Sequence, residues 1–400
     1  MKYIVLVPDG MADLPLEELN DRTPMESANA PYMHMIARKG IVGTSRNVPK
    51  GMVPASDVAN LSILGYDPKK YYCGRGPLEA ANLGVELEER DVAFRYNTVT
   101  VSGDTMIDYS AGHISTSETT FIAEVLNKEL GSERYHFYPG TSYRNLLMVH
   151  CSSVEEAEKL SKVTCHPPHD ILDKSISRHL PKSPELVELM KKSKAILPDL
   201  DVNKVRIDLG QNPANMIWIW GQGKRPDMPK FADAFGITGG IISAVDLLKG
   251  LGRVLGLEVA EVPGATGYYD TNYEGKAEAA LDILKKNDMV FVHVEAPDEA
   301  GHNGHVREKI TAIENFDSKI TKRIIEELSD KVEYRVLILP DHPTPIKKRT
   351  HTGDPVPFAM AGTGITPDDV TVFTENSAKA GSYKLDKGSE LMKMMLREKL

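Results

Sequence analysis

Apolar residues mark out two regimes along this chain. Residues 2–7 (KYIVLV) form an apolar, β-branched run of the length of one strand. In the C-terminal half, such runs alternate with apolar residues at helical spacing. GKAEAALDILKK (275–286) predicts a helix, MVFVHVE (289–295) a strand and REKITAIENFDSKITKRIIEEL (307–328) a long helix. YRVLILP (334–340) and VPFAMAG (356–362) predict two more strands. Strands alternating with helices imply a parallel sheet covered on both faces.

The middle of the chain reads differently. DVAFRYNTVTV, DTMIDYS, RYHFYPG and RNLLMVH are strand-like and close together, with one helix expected near residues 115–130. They predict a smaller α+β domain over residues 91–180, inserted into an α/β core made of 1–90 and 181–400. The Pro-rich stretch 166–184 (HPPHDILDKSISRHLPKSP) suits a link back to that core.

Composition narrows the class. The 400 residues are 41 % hydrophobic and 26 % charged, an ordinary balance for a soluble protein of two or three domains. A formal net charge of −9 with no long run of one sign argues against broad binding to nucleic acid or membrane, while leaving room for a local basic pocket. Cys73, Cys151 and Cys165 form no CxxC and no even framework, which fits a reducing compartment. The first apolar run is too short for a signal peptide, so a cytoplasmic protein is expected.

Candidate chemistry lies where the strands end. VLVPD stops at Asp9, VHVEAPD at Asp298 and LILPD at Asp341. Proline has no N–H and ends ladder pairing, so each aspartate sits just beyond a strand. In a parallel sheet those ends share one edge, where ligands bind. His302 follows Asp298 in what reads as a Gly-rich loop, His342 follows Asp341 directly, and His351 stands in THTGDPVP before another strand. A single such Asp would be a turn residue or cap. Three carboxylates with three imidazoles and no thiolate suit Mn²⁺ or Zn²⁺. Six ligands exceed what one catalytic metal with an open position needs, and they suit two metals about 3.5–4 Å apart. His305 is left open by the sequence, with holding a carboxylate or a substrate oxygen from behind the ligands as one role for it.

PASDVANLSILGYDP (54–68) places Ser56 near a helix start. Two readings stay open. Serine is a favoured N-cap, and the same position supports phosphate chemistry, since free backbone N–H groups stabilise phosphate oxygens and a cation at the serine oxygen would lower its pKa.

Together VPDG (7–10), PASDVANLSILGYDP, APDEAGH (296–302), LPDH (339–342) and THTGDPVPF (350–358) resemble the alkaline phosphatase superfamily. More closely, the chain is similar over its whole length to archaeal-type cofactor-independent phosphoglycerate mutases. CGRGPLEAANLGV (73–85), YSAGHIS (109–115), YRNLLMV (143–149), WGQG (220–223) and PGATGYYDTNY (263–273) extend the likeness. The resemblance implies an alkaline-phosphatase-like parallel-sheet core with an inserted α+β domain. It implies one metal held by Asp9, Ser56, Asp341 and His342, and another by Asp298, His302 and His351. Ser56 would be the nucleophile, phosphorylated in mid-reaction, and glycerate would stay trapped between the domains while it reorients.

The substrate would be 3- or 2-phosphoglycerate, with no 2,3-bisphosphoglycerate required. A phosphate and a carboxylate need fixed cations. Arg75, His113 and Arg144 are the chosen substrate-binding residues, ahead of Arg95, Lys224 and Arg225, although each could instead be a solvated charge. A small phosphorylated acid is the expected partner, and a homo-oligomer is compatible with the sequence. Phosphatase, phosphopentomutase or homoserine-kinase-like activity is the alternative on the same core. No GxxxxGK[ST] loop occurs, which disfavours a P-loop kinase. A metal-bearing binding protein should lack a ligand or the nucleophile, and none is missing.

Overall fold

In the computed structural model, which describes residues 1–329 and 331–397, the strand Lys2–Pro8 lies at the heart of an eight-stranded sheet. It runs parallel to Met289–Val294 on one side and to Tyr334–Ile338 on the other, with Val5 opposite both Phe291 and Leu337. Ile4, Val5, Leu6 and Val7 are all buried, because helices cover both faces. That is why the run is continuously apolar rather than alternating. Gly239–Ile242 and Glu258–Ala260 extend the sheet in parallel beyond Met289–Val294.

One strand departs from the parallel expectation. Val356–Gly362 runs antiparallel to both its neighbours, Tyr334–Ile338 and Gly40–Ser45. It comes after Tyr334–Ile338 through a loop with no crossover helix, and without a crossover a chain can only return antiparallel. The reversal matters for the site. It brings the start of Val356–Gly362, and the segment holding His351, to the edge where the parallel strands end. Gly40–Ser45, reversed again, finishes at that same edge and leads toward Ser56.

Two local expectations are corrected. APDEAGHN is not a loop but the helix Ala296–Asn303, with Pro297 in its first turn, where a missing N–H costs nothing, and Gly304 in the left-handed conformation after it. The long helix 307–328 is interrupted: Val306–Asn315 and Lys322–Leu328 flank a π-helical turn, Phe316–Thr321. The wider turn aims the buried Asp317 at the start of helix Pro31–Arg38. There it accepts from the N–H groups of Met33 at 2.7 Å and Tyr32 at 3.2 Å, a job that Ala30 at the N-cap position cannot do.

The chain divides into two units, Met1–Tyr72 with Met228–Leu400, and Cys73–Asp227. The bounds of 91 and 180 are therefore too narrow. In the second unit Asp91–Ser102 pairs antiparallel with Arg144–His150 and, on its other side, with Met216–Lys224, a strand well beyond residue 180. Phe94, Tyr96, Leu147 and Trp218 are buried around it, and the helix Thr116–Leu130 is closed by a Ser115–Glu118 capping box. No helix among the described residues is long and apolar enough to cross a membrane.

Excision distinguishes the two sets of bounds. Replacing residues 73–227 by a short Gly/Ser linker should leave the eight-stranded sheet folded. Replacing only 91–180 should give aggregating protein, since Met216–Lys224 loses its partner; circular dichroism and size exclusion separate the two. Asp317→Ala should cost about 1–2 kcal/mol in denaturant unfolding, as a lost helix cap does.

Candidate metal centre

Asp9, Asp298 and Asp341 meet as their strand ends predict, and all three are buried. Asp9 continues Lys2–Pro8, its N–H bonded to the Val294 carbonyl at 3.0 Å. Gly10, at φ +60°, turns the chain there, and a Cβ on it would lie 2.6 Å from both Asp298 Oδ1 and Thr344 Oγ1. Asp341 is held by four donors: Oδ1 accepts from Gly10 N at 3.1 Å and His342 N at 2.8 Å, and Oδ2 accepts from Asn60 Nδ2 at 2.9 Å, while Asn47 Nδ2 ties down its carbonyl at 2.9 Å.

The imidazoles are oriented from behind. His302 Nδ1 meets the Arg349 carbonyl at 3.0 Å, and His351 Nδ1 meets the Pro54 carbonyl at 3.3 Å. A carbonyl only accepts, so both rings carry a proton on Nδ1 and turn Nε2 toward the cluster. Those two Nε2 atoms are 2.8 Å apart. Two lone pairs face one another at that distance only with a positive charge between them, either a proton or a metal cation. Asp298 completes the group, with Oδ2 3.2 Å from His302 Nε2 and Oδ1 3.4 Å from His351 Nε2. Helix geometry sets the first of these contacts, because residues four apart share a face.

The helix start does not use Ser56 as its cap. Ala55 occupies the N-cap position and Ser56 is the first helical residue, so the Ser56 side chain caps nothing. Its Oγ lies 3.2 Å from His342 Nε2. The same Nε2 is 3.5 Å from Asp341 Oδ2 and 3.7 Å from Asp9 Oδ1. His342 is also close to the other group, its ring centre 4.1 Å from that of His351.

Electrostatics ask for cations. Burial, then the charges of Asp341, Asp298 and Glu295, push the Asp9 carboxyl well above its ordinary range. Glu295 is pushed up to about 8 by burial and by Asp298. Burial would raise Asp298 as well, but its hydrogen bonds to His302 and His351 hold it well below the usual value. Burial alone would lower His302, and the Asp298 carboxylate outweighs it and holds the ring at about 9. Asp9 Oδ1 and Glu295 Oε2 are buried with no hydrogen-bond partner. Orphaned carboxylate oxygens of this kind are rare in folded proteins, and together with the facing Nε2 atoms they fit divalent cations. Three sets of donor atoms lie within 4.8 Å of one another: Asp298, His342 and His351; Asp9, His293 and Asp341; and Asp9, Glu295 and Asp298.

Sequence reasoning misses His293 and Glu295. Their signal is two polar residues on one face of the otherwise apolar strand that leads to Asp298. Burial lowers His293 to about 3, so the ring is neutral. Its Nε2 is 2.9 Å from Asp9 Oδ2, and its Nδ1 is 3.3 Å from Ser243 Oγ. His305 does not join the cluster. It precedes helix Val306–Asn315, and its Nδ1 meets the Tyr269 hydroxyl at 3.1 Å.

The second unit gathers its own cations. Arg75 and Arg95 lie over the Trp220 ring at 5.2 and 5.0 Å, and Arg144 lies over Tyr143 at 5.0 Å. His113 packs edge-on against Tyr143, ring centres 6.0 Å apart. Burial lowers Arg95 to about 10 against the pull of Glu79, and the charges of Arg144 and Arg75 lower it further. Gly74 before Arg75 has φ +87°, and a Cβ there would meet the Gln222 carbonyl at 2.2 Å. Lys224 is committed to Glu158 at 3.6 Å, and Arg225 is exposed. The three cysteines are free; burial lifts Cys151 and Cys165 to about 11 and about 12, away from thiolate chemistry.

Known proteins match the chain from end to end. A family model described as 2,3-bisphosphoglycerate-independent phosphoglycerate mutase matches residues 37–203. A protein of that name from Methanothrix thermoacetophila is 50 % identical over 400 residues, covering 99 % of this chain and 100 % of the relative. A solved structure from Pyrococcus horikoshii superposes with a TM-score of 0.82 at 31 % identity, covering 99 % of this chain and 96 % of that one. A cofactor-independent phosphoglycerate mutase from Thermoplasma acidophilum superposes with a TM-score of 0.65 at 28 % identity, covering 99 % of each chain. With half its residues shared over its full length, this chain belongs to the family of 2,3-bisphosphoglycerate-independent phosphoglycerate mutases.

Proposed function

We propose that the chain interconverts 3-phosphoglycerate and 2-phosphoglycerate through a phosphoserine at Ser56, with two divalent cations and no bisphosphoglycerate. The observation that carries this reading is the Ser56 hydroxyl, free of any capping role and 3.2 Å from His342 Nε2 within the converging carboxylates and imidazoles. The names of the full-length relatives support the substrate. Asp9, Ser56, Asp341 and His342 would hold one cation, and Asp298, His302 and His351 the other. When bound, the cations supply Lewis-acid polarisation of the phosphate and neutralise charge on the attacking and leaving oxygens.

Ser56 Oγ gives up its proton and bonds to phosphorus as the bond from phosphorus to the substrate's 3-oxygen breaks, and that oxygen takes up a proton. The glycerate reorients. Its 2-hydroxyl then gives up a proton and attacks the same phosphorus, which releases Ser56 with its proton restored. Backbone N–H groups at the start of helix Ser56–Ile63 would be available to the phosphate oxygens. Arg75, Arg144 and His113, with Arg95 beside them, would supply the fixed positive charge that a phosphorylated acid requires. The retained glycerate must be kept from water, which would otherwise make the protein a phosphatase.

Ser56→Ala should lower turnover by on the order of 10³-fold or more, while changing stability by less than about 0.5 kcal/mol because no cap is lost. An enolase-coupled assay and urea unfolding measure the two. Acid-quenched wild-type protein should carry phosphate on the peptide containing PASDVANLSIL, and a fully active Ser56→Ala enzyme would end the phosphoserine reading. The same coupled assay, run beside ATP-dependent homoserine phosphorylation, decides against the alternative acceptors.

Chelation should abolish activity, and Mn²⁺ or Zn²⁺ should restore it; active protein free of metal would overturn the two-metal reading. The pH dependence has a defined sign. Without metal, His302 keeps its proton up to about pH 9, so a cation binding below that pH must displace it. Apparent Mn²⁺ affinity should therefore rise from pH 6 toward pH 9, by about tenfold per unit for each proton released. Titration calorimetry in buffers of different ionisation enthalpy counts those protons.

A further inference from the structure

We infer that Thr344 is a positioning residue whose single hydroxyl ties a ligand of one cation group to a ligand of the other, and so sets the spacing between the two metals. The inference rests on the two-metal reading above and names a residue outside both ligand sets.

Thr344 is fully buried. Its Oγ1 makes a short hydrogen bond to Asp298 Oδ1 and lies 3.3 Å from His342 Nδ1. A hydroxyl has one hydrogen. An ionised carboxylate only accepts, so that hydrogen goes to Asp298. The contact with His342 then runs the other way, from Nδ1–H to the Thr344 oxygen. His342 is thereby fixed in one tautomer, with the Nε2 lone pair directed toward Ser56 Oγ, Asp341 Oδ2 and Asp9 Oδ1 at 3.2, 3.5 and 3.7 Å. Outer hydrogen bonds of this kind fix the orientation of metal ligands. Here one outer group serves a ligand of each metal, so a shift of Asp298 is felt at His342.

The rest of the turn holds the hydroxyl still. Lys309 Nζ donates to the Thr344 carbonyl at 2.8 Å and to Asp13 Oδ2 at 2.8 Å, an ion pair with no exposure on either side. Asp13 Oδ1 also accepts from Ile346 N at 3.2 Å and Leu14 N at 2.8 Å. Gly10 and Gly301 close around the residue: a Cβ on Gly301 would lie 2.3 Å from the Thr344 carbonyl oxygen.

The test is Mn²⁺ binding to the full-length protein, followed by electron paramagnetic resonance, which reads both free Mn²⁺ and the exchange broadening of a close Mn²⁺ pair. Thr344→Val keeps the shape and removes the hydroxyl. It should weaken Mn²⁺ binding by about 10–100-fold and diminish the coupled-pair signal. Thr344→Ser keeps the hydroxyl and should retain both. Wild-type affinity and an unchanged pair signal in Thr344→Val would overturn this inference alone. So would a Thr344→Ser protein as impaired as Thr344→Val, which would trace the effect to packing. Wild-type protein that binds no cation would overturn the two-metal reading, and this inference with it. Should Thr344→Val fail to fold, nitrogen NMR of zinc-loaded wild-type protein decides the matter: a proton on His342 Nδ1 supports the assignment, and a proton on Nε2 overturns it.

Discussion

Burying negative charge at one sheet edge is the constraint on which this architecture turns. Asp9, Asp298 and Asp341 are buried together with Glu295 close by, and desolvated like charges are expensive unless paired. The chain answers with donors from many directions: the N–H groups of Gly10 and His342, the Asn60 amide, the Thr344 hydroxyl and the His293 ring. These donors orient the carboxylates without neutralising them. Asp9 Oδ1 and Glu295 Oε2 stay buried without a hydrogen-bond partner, and that uncompensated charge is what a bound cation would offset.

Strand direction decides which residues can share that edge. Parallel strands deliver only the residues just past their carboxyl ends, here Asp9, Asp298 and Asp341. His351 precedes its strand, and it reaches the edge because Val356–Gly362 is reversed. The second reversal, onto Gly40–Ser45, returns the chain to the edge ahead of Ser56. One antiparallel strand in an otherwise parallel region therefore recruits an imidazole and a serine hydroxyl from opposite ends of the sequence.

The carboxylates and the imidazoles of the site were legible in the sequence because a strand ending in Pro-Asp is a local pattern with a fixed consequence. Contacts between distant segments were not. His293 reads as a strand residue until its ring is seen against Asp9, and Thr344 reads as a turn residue until Asp298 is beside it. The helix at 296–303 was hidden because Gly301, Asn303 and Gly304 suggest a loop, whereas packing of Ala296, Ala300 and Gly301 against the core overrides that propensity. The domain bounds were drawn too tightly because Met216–Lys224 carries the same apolar signature as a core strand. Only its register with Val92–Val99 assigns it to the second unit.

The split of the first unit around the second has a consequence for synthesis. Cys73–Asp227 is one continuous stretch whose sheet is complete once Met216–Lys224 has been made. The strand Lys2–Pro8, made before that unit, finds neither of its partners until residues 289–294 and 334–338 have emerged. Closing contacts over so long a stretch of chain is slow, and an apolar strand left waiting is prone to stray pairing. On the ribosome the inserted unit is therefore complete while the earlier strand Lys2–Pro8 still waits, and the edge that gathers Asp9, Asp298 and Asp341 comes into being only after residue 341 has emerged.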